Sequence, residues 1–250
     1  MVDFHTHILP AIDDGAKTDE ISVAMLVRLQ EQGVREVLFT PHYYAKKRTP
    51  EEFLEERARA YEKIKHRIPE GMTVRLGAEV HLTGVNDPSD EALCAMAIEG
   101  TKCVLVEFPF TSEWNETLIP RVQSFAHETG YTPILAHVER YACVLQNPSL
   151  LTDIFKAGCL LQVNTSAFLH KKTRRFAYAL LGKCMVHCIG TDAHDLSSRP
   201  PDYMQARMEI CRNGRELEFR SAQGCMKRLL KGEKIRAIYS RIHKFFVWYF

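Results

Sequence analysis

Short apolar runs rich in β-branched residues alternate along the chain with longer stretches whose apolar residues recur every three to four positions. This is the pattern of repeated strand–helix units around a parallel sheet. The runs predict strands near Val2–His5, Glu36–Thr40, Thr73–Glu79, Cys103–Glu107, Pro133–His137, Leu160–Asn164 and Met185–Gly190. Between the first two, Thr18, Asp19 and Glu20 open a segment in which Ile21, Met25, Leu26 and Leu29 share one stripe, so a helix is expected from there to Gly33. Pro50, Glu51 and Glu52 open the next helix with a proline and acids in its first turn, where the helix dipole favours them. Residues 86–90 and 197–201 carry loop chemistry.

Residues able to bind a metal sit where these strands end. His5 and His7 follow the first strand, His42 the second, Glu79 and His81 the third, Glu107 the fourth, His137 the fifth, and Asp192 and His194 the last. Carboxyl ends of parallel strands open on one face, so residues distant in sequence converge there. A His-x-His pair on a strand turns both imidazoles to the same side. A single pair among eleven histidines is weak evidence, because an isolated histidine is usually a packed or surface residue. Recurrence at successive strand ends is what points to metal.

Imidazole and carboxylate without thiolate suit manganese, iron or zinc. A divalent cation lowers the pKa of a bound water from 15.7 toward about 7, which points to a hydrolase. Other hydrolytic chemistries lack their residues: no cysteine is followed six positions later by arginine, and neither a Gly-x-Ser-x-Gly elbow nor a Walker-type phosphate loop is present.

Composition narrows the class further. A length of 250 residues, 46% hydrophobic and 26% charged, fits one large soluble domain. A net charge of +2 gives no electrostatic footprint for nucleic acid. Eight scattered cysteines with no Cys-x-x-Cys pair read as small buried apolar residues in a reducing compartment. With no secretory leader and no long apolar run, a cytoplasmic protein is expected.

With these residues in view, the chain resembles the polymerase and histidinol phosphatase (PHP) superfamily. Within it, the resemblance is to the manganese-dependent protein-tyrosine phosphatases of bacterial capsule and exopolysaccharide loci. The resemblance is carried in order by Asp3 to Ala16, Thr40 to Tyr44, Gly77 to His81, His137 to Tyr141 and Gly190 to Pro201. It implies an α/β fold, a distorted (β/α)7 TIM-like barrel in a single domain, with three divalent ions. His5, His7, Glu79 and Asp192 would hold one. Glu79 would bridge to a second, completed by Glu107 and His137, and Asp14, His42 and His194 would hold the third. Arg140 and Arg199 would grip phosphate, their alternative being surface ion pairs. Asp13 would support Asp14 or simply form the turn before Gly15, His81 would back the centre, and Tyr43 and Tyr44 would flank the substrate or pack. The implied substrate is phosphotyrosine on a membrane-associated tyrosine kinase that controls polysaccharide synthesis.

The catalytic barrel is expected over residues 1–233. Residues 234–250 interleave Arg236, Arg241 and Lys244 with Phe245, Phe246, Trp248 and Tyr249, and read as a basic, aromatic helix packed on the barrel, as an oligomer contact, or as touching a membrane surface. Competing functions are a histidinol phosphatase, a TatD-like nuclease, and a non-catalytic phosphotyrosine-binding regulator. Retention of every implied ligand argues against the last.

Overall fold

The expected strands form, and every pairing among the described residues is parallel. The computed structural model describes residues 1–110, 114 and 116–235. Its strands are β1 (Val2–Thr6), β2 (Glu36–Phe39), β3 (His42–Tyr43), β4 (Thr73–Leu76), β5 (Glu79–His81), β6 (Cys103–Glu107), β7 (Thr132–Leu135), β8 (Leu160–Asn164) and β9 (Cys188–Gly190). They hydrogen-bond as β1-β2-β4 and as β3-β5-β6-β7-β8-β9.

Two expected strands are each broken in two. The run Glu36–Thr40 stops at Phe39 and resumes at His42, because Pro41 has no N–H to give the ladder. The run Thr73–Glu79 breaks opposite, at Gly77 and Ala78. Gly77 N still donates to Phe39 O (2.8 Å) and Glu79 N to Pro41 O (3.0 Å), so the halves stay in line while the sheet bends. Met185–Gly190 is a strand only from Cys188, although His187 N already reaches Leu161 O at 3.1 Å.

The sheet curls until the chain's first strand meets its last. Asp192 N donates to His5 O (2.8 Å), His7 N donates to Ala193 O (2.9 Å), and Thr6 bridges Ala193 in parallel. A glycine is required at the seam: a Cβ on Gly190 would lie 2.7 Å from the backbone nitrogen of His5.

Helices cover the sheet as the periodicity demands. Helix α1 (Asp19–Glu31) begins on Thr18, whose side chain accepts from Ile21 N, and buries Met25, Leu26 and Leu29. Gly33 follows with φ +82°. Helix α2 (Pro50–Ile64) starts with a capping box between Thr49 and Glu52. All eight cysteines are free thiols, and Cys103, Cys159 and Cys188 are buried. No helix of the described residues is long and apolar enough to cross a membrane. The basic, aromatic stretch beyond Ile235 lies outside the described residues.

Candidate metal centre

Every candidate ligand named from the sequence is brought to one rim. Glu79, at the start of β5, is fully buried and sits at the middle of the group. Its Oε2 lies 3.2 Å from His5 Nε2, 3.2 Å from His7 Nε2 and 3.0 Å from His42 Nδ1. Its Oε1 accepts from His137 Nε2 at 2.8 Å. Glu107 Oε1 is 3.3 Å from the same His137 nitrogen. Asp192 Oδ1 is 3.3 Å from His7 Nε2 and 3.6 Å from His5 Nε2. Asp14, more exposed, reaches His42 Nε2 at 3.6 Å and His194 Nε2 at 3.5 Å.

Three sets among the described residues bring ligand atoms close enough for a shared ion: His5, His7 and Asp192; His42, Glu79 and Glu107; and His7, Asp14, His42 and His194. These differ from the expected grouping: Glu79 is not in the His5 set, His42 takes the place of His137 beside Glu79 and Glu107 by turning Nδ1 toward Glu79, and His7 also reaches the Asp14 set.

The donor set fits cations. Glu79 Oε2 and His42 Nδ1 are buried yet make no hydrogen bond of acceptable geometry, although they face each other at 3.0 Å. Buried polar atoms without partners are costly and rare. A carboxylate and imidazole lone pairs aimed at one point would be satisfied together by a divalent ion.

Neighbouring polar groups fix each imidazole's orientation. Asp13 Oδ2 takes His7 Nδ1 at 2.7 Å and His42 N at 2.9 Å, while its Oδ1 takes Gly15 N, so it both supports the centre and forms the turn. Its bond to Nδ1 leaves His7 Nε2 facing inward. His5 Nδ1 meets Gln162 Oε1 at 3.2 Å, and Gln162 also accepts from His137 N and donates to Asn164. Asn164 Nδ2 donates to Asp192 Oδ2 at 2.9 Å. His81 Nδ1 meets Glu107 Oε2 at 3.1 Å.

Gln162 and Asn164 escaped the sequence reading, because neutral amides in an apolar strand carry no ligand signature. Their alternation in β8 is the one available hint. Asp3 opens the first of the ordered motifs. It is buried, accepts from Thr191 N (2.8 Å) and Thr191 Oγ1 (2.7 Å), and burial lifts its pKa to about 7. His137 and Asp192 adopt left-handed backbone conformations, with φ +31° and +53°. Such strain in non-glycine residues concentrates at functional sites.

Electrostatics couple the group. Burial opposes ionisation of Glu79, yet His5 and His42 hold its carboxyl well below the ordinary range. Burial likewise opposes charge on His137, but Glu107 and Glu79 raise its pKa to about 10. Glu107 is held at about 2 against its own burial by His137 and His81. His194 goes the other way, to about 3, through burial and the adjacent positive His7.

Both arginines face the centre. Arg140 Nη1 is 3.3 Å from Asp192 Oδ2, and Arg199 pairs with the same oxygen while its Nη1 meets His194 Nε2 at 2.7 Å. Arg140 lies 4.7 Å over the Phe110 ring. Of the two tyrosines, Tyr43 packs in the core on Phe53, whereas Tyr44 stands at the mouth against the rings of His42 and His81.

Fold and site together define a curled parallel α/β protein with a histidine–carboxylate centre at the carboxyl rim of its strands. The chain belongs to the capsular polysaccharide synthesis CpsB/CapC family, whose pattern it matches over residues 1–241. It is 30% identical over 244 residues to the tyrosine-protein phosphatase CpsB of Streptococcus agalactiae, covering 91% of this chain and 98% of that one. It is also 30% identical over 207 residues to the tyrosine-protein phosphatase YwqE of Bacillus subtilis, covering 80% and 79%. A solved structure from work on YwqE of Bacillus subtilis and CpsB of Streptococcus pneumoniae, described as unique metal-dependent tyrosine phosphatases, matches with a TM-score of 0.78 and 26% identity. That match covers 96% of this chain and 98% of the other. The family expected from the ordered motifs is therefore the one found.

Proposed function

We propose that this protein is a metal-dependent protein-tyrosine phosphatase. The observation that carries the reading is Glu79, a buried carboxylate ringed by His5, His7, His42 and His137 with one oxygen left without a hydrogen bond. The tyrosine phosphatases it resembles over nearly the whole chain support the substrate class.

Three ions, manganese first and iron or zinc as substitutes, would be held by His5, His7, Glu79 and Asp192; by Glu79, Glu107 and His137; and by Asp14, His42 and His194. Bound there, they supply Lewis acidity and the means of activating water. The chain's own groups do the rest. Asp13 and Gln162 keep His7 and His5 in the tautomers that present Nε2 inward. Arg140 and Arg199, planar and permanently charged, grip the phosphoryl oxygens and offset charge developing on them. Were His194 to hold an ion through Nε2, that lone pair could no longer accept from Arg199, whose guanidinium would then be free to turn to the phosphoryl group. A tyrosyl leaving group, with a pKa near ~10, departs without a strong general acid.

We read the broken strand pairs β2/β3 and β4/β5 as single positions, giving a distorted (β/α)7 barrel over residues 1–233. The partner would be a membrane-associated bacterial tyrosine kinase met from the cytoplasm. The substrate class is tested by offering manganese-loaded protein a phosphotyrosine peptide, a phosphoserine peptide, histidinol phosphate and single-stranded DNA. Turnover should favour phosphotyrosine; faster cleavage of histidinol phosphate or DNA would assign one of the competing functions instead.

A further inference from the structure

The loop after β3 carries an unassigned cationic pocket beside the metal centre. Tyr44 has its ring centroid 5.2 Å from that of His42 and 5.3 Å from that of His81, so it walls the mouth of the centre. On this flank lies a cavity of about 170 Å³ lined by Tyr44, Lys46, Lys47, His81, Thr83 and Asp87, among others. Lys47 Nζ lies 4.5 Å over the Tyr44 ring.

A turn sets the backbone that carries the lysines. Lys47 N donates to Tyr44 O at 2.9 Å, Arg48 Nη2 donates to Ile12 O at 3.1 Å, and Thr49 caps α2. Arg48 is paired with Glu56, whereas neither Lys46 nor Lys47 has an ion-pair partner among the described residues. Asp87, the acid of the cavity, is tied to its own loop by Thr83 N (2.7 Å), Thr83 Oγ1 (3.3 Å) and Gly84 N (3.0 Å). Two exposed lysines without an ion-pair partner among the described residues thus line a small space that shares Tyr44 and His81 with the mouth of the centre.

We propose that this pocket is a substrate subsite for an anionic group on a residue flanking the phosphotyrosine, either a carboxylate or a second phosphate. Consecutive residues are about 3.8 Å apart along the chain, so a neighbour of the reacting tyrosine passes within reach of this flank. An ammonium is a point charge that takes either anion without bidentate geometry. The proposal rests on the phosphatase reading for its substrate and adds which substrates are preferred.

Binding of non-hydrolysable difluoromethylphosphonate peptides to the manganese-loaded full chain tests it, read by fluorescence anisotropy. Peptides flanked by Gln, by Glu or by a second phosphonate are compared on wild type and on the Lys46→Gln/Lys47→Gln double variant, whose fold is checked by its thermal melt. Wild type should bind one or both anionic peptides about fivefold more tightly than the Gln peptide, as expected for exposed charge pairs. The ratio should fall to about one in the double variant and in high salt. A gain for both peptides means a carboxylate suffices; a gain for the second phosphonate alone identifies phosphate. No binding, equal binding of all peptides by wild type, or a ratio unchanged in the variant overturns the subsite. Turnover of para-nitrophenyl phosphate by wild type reports separately on the phosphatase reading, since that substrate has no flanking residue.

Discussion

Asp13 Oδ2 holds His7 Nδ1 at 2.7 Å and, with the same oxygen, His42 N at 2.9 Å. One carboxylate thereby sets the direction of one imidazole and the backbone of another, across a loop that sequence spacing alone does not relate. Asp13→Asn keeps the shape and loses the charge, and an amide placed toward Nδ1 favours the wrong tautomer. Manganese affinity should fall about 10- to 100-fold with little change in thermal stability of the metal-free protein, as measured by calorimetric titration.

Phe110 braces Arg140. Its ring lies beneath the guanidinium at 4.7 Å and stacks on Tyr141 at 5.3 Å, and Tyr141 in turn packs edge-on against Trp114. A cation–π contact of about 0.5–1 kcal/mol corresponds to a few-fold effect. Phe110→Leu should raise KM for a phosphotyrosine peptide about three- to fivefold and weaken inhibition by inorganic phosphate to a similar degree, whereas Phe110→Tyr should retain both values. Equal loss in the two variants would remove Phe110 from the positioning of Arg140.

The metal-free centre should impose its own pH dependence on stability. His137 titrates near 10 in the fold against an ordinary 6.5, so its contribution is complete below pH 6.5 and is lost as pH rises through 10. Glu107, held at about 2 against 4.5, contributes above pH 4.5 and loses that contribution as pH falls through 2. Cations must displace the imidazole protons, so manganese uptake near neutrality should release protons and strengthen as pH rises. Titration calorimetry in buffers of different ionisation enthalpy measures the release; an uptake heat independent of buffer would contradict it.

Gly190 allows the closest backbone approach at the seam between the first and last strands. A methyl group there would meet His5 Cβ at 2.6 Å and His5 N at 2.7 Å. Gly190→Ala should cost about 2 kcal/mol or more in a denaturant melt and lower the bound metal with it, because the displaced strand carries His5 and leads directly into His7.

Much of this was legible in the sequence for physical reasons. Charged and imidazole side chains at the ends of apolar runs have few structural uses, so His5, His7, Glu79, Asp192 and their companions stood out. What tertiary structure decides stayed hidden. Pro41 could be seen, but not that Gly77 and Ala78 would break the neighbouring strand opposite it. Gln162 and Asn164 look like ordinary polar strand residues until their amides are found bridging His5, His137 and Asp192. The left-handed turns at His137 and Asp192 left no glycine to mark them. The pairing of Arg199 with His194 also depends on contacts that no local pattern encodes.

The most direct measurement of the central claim combines elemental analysis with phosphotyrosine-peptide turnover on the same preparation, before chelation, after chelation and after manganese is restored. We expect activity to follow metal content through all three states, and both to be lost in His5→Ala and Glu79→Ala even with manganese in excess. Hydrolysis by pure protein that persists at full rate once the metal has been stripped would contradict the account.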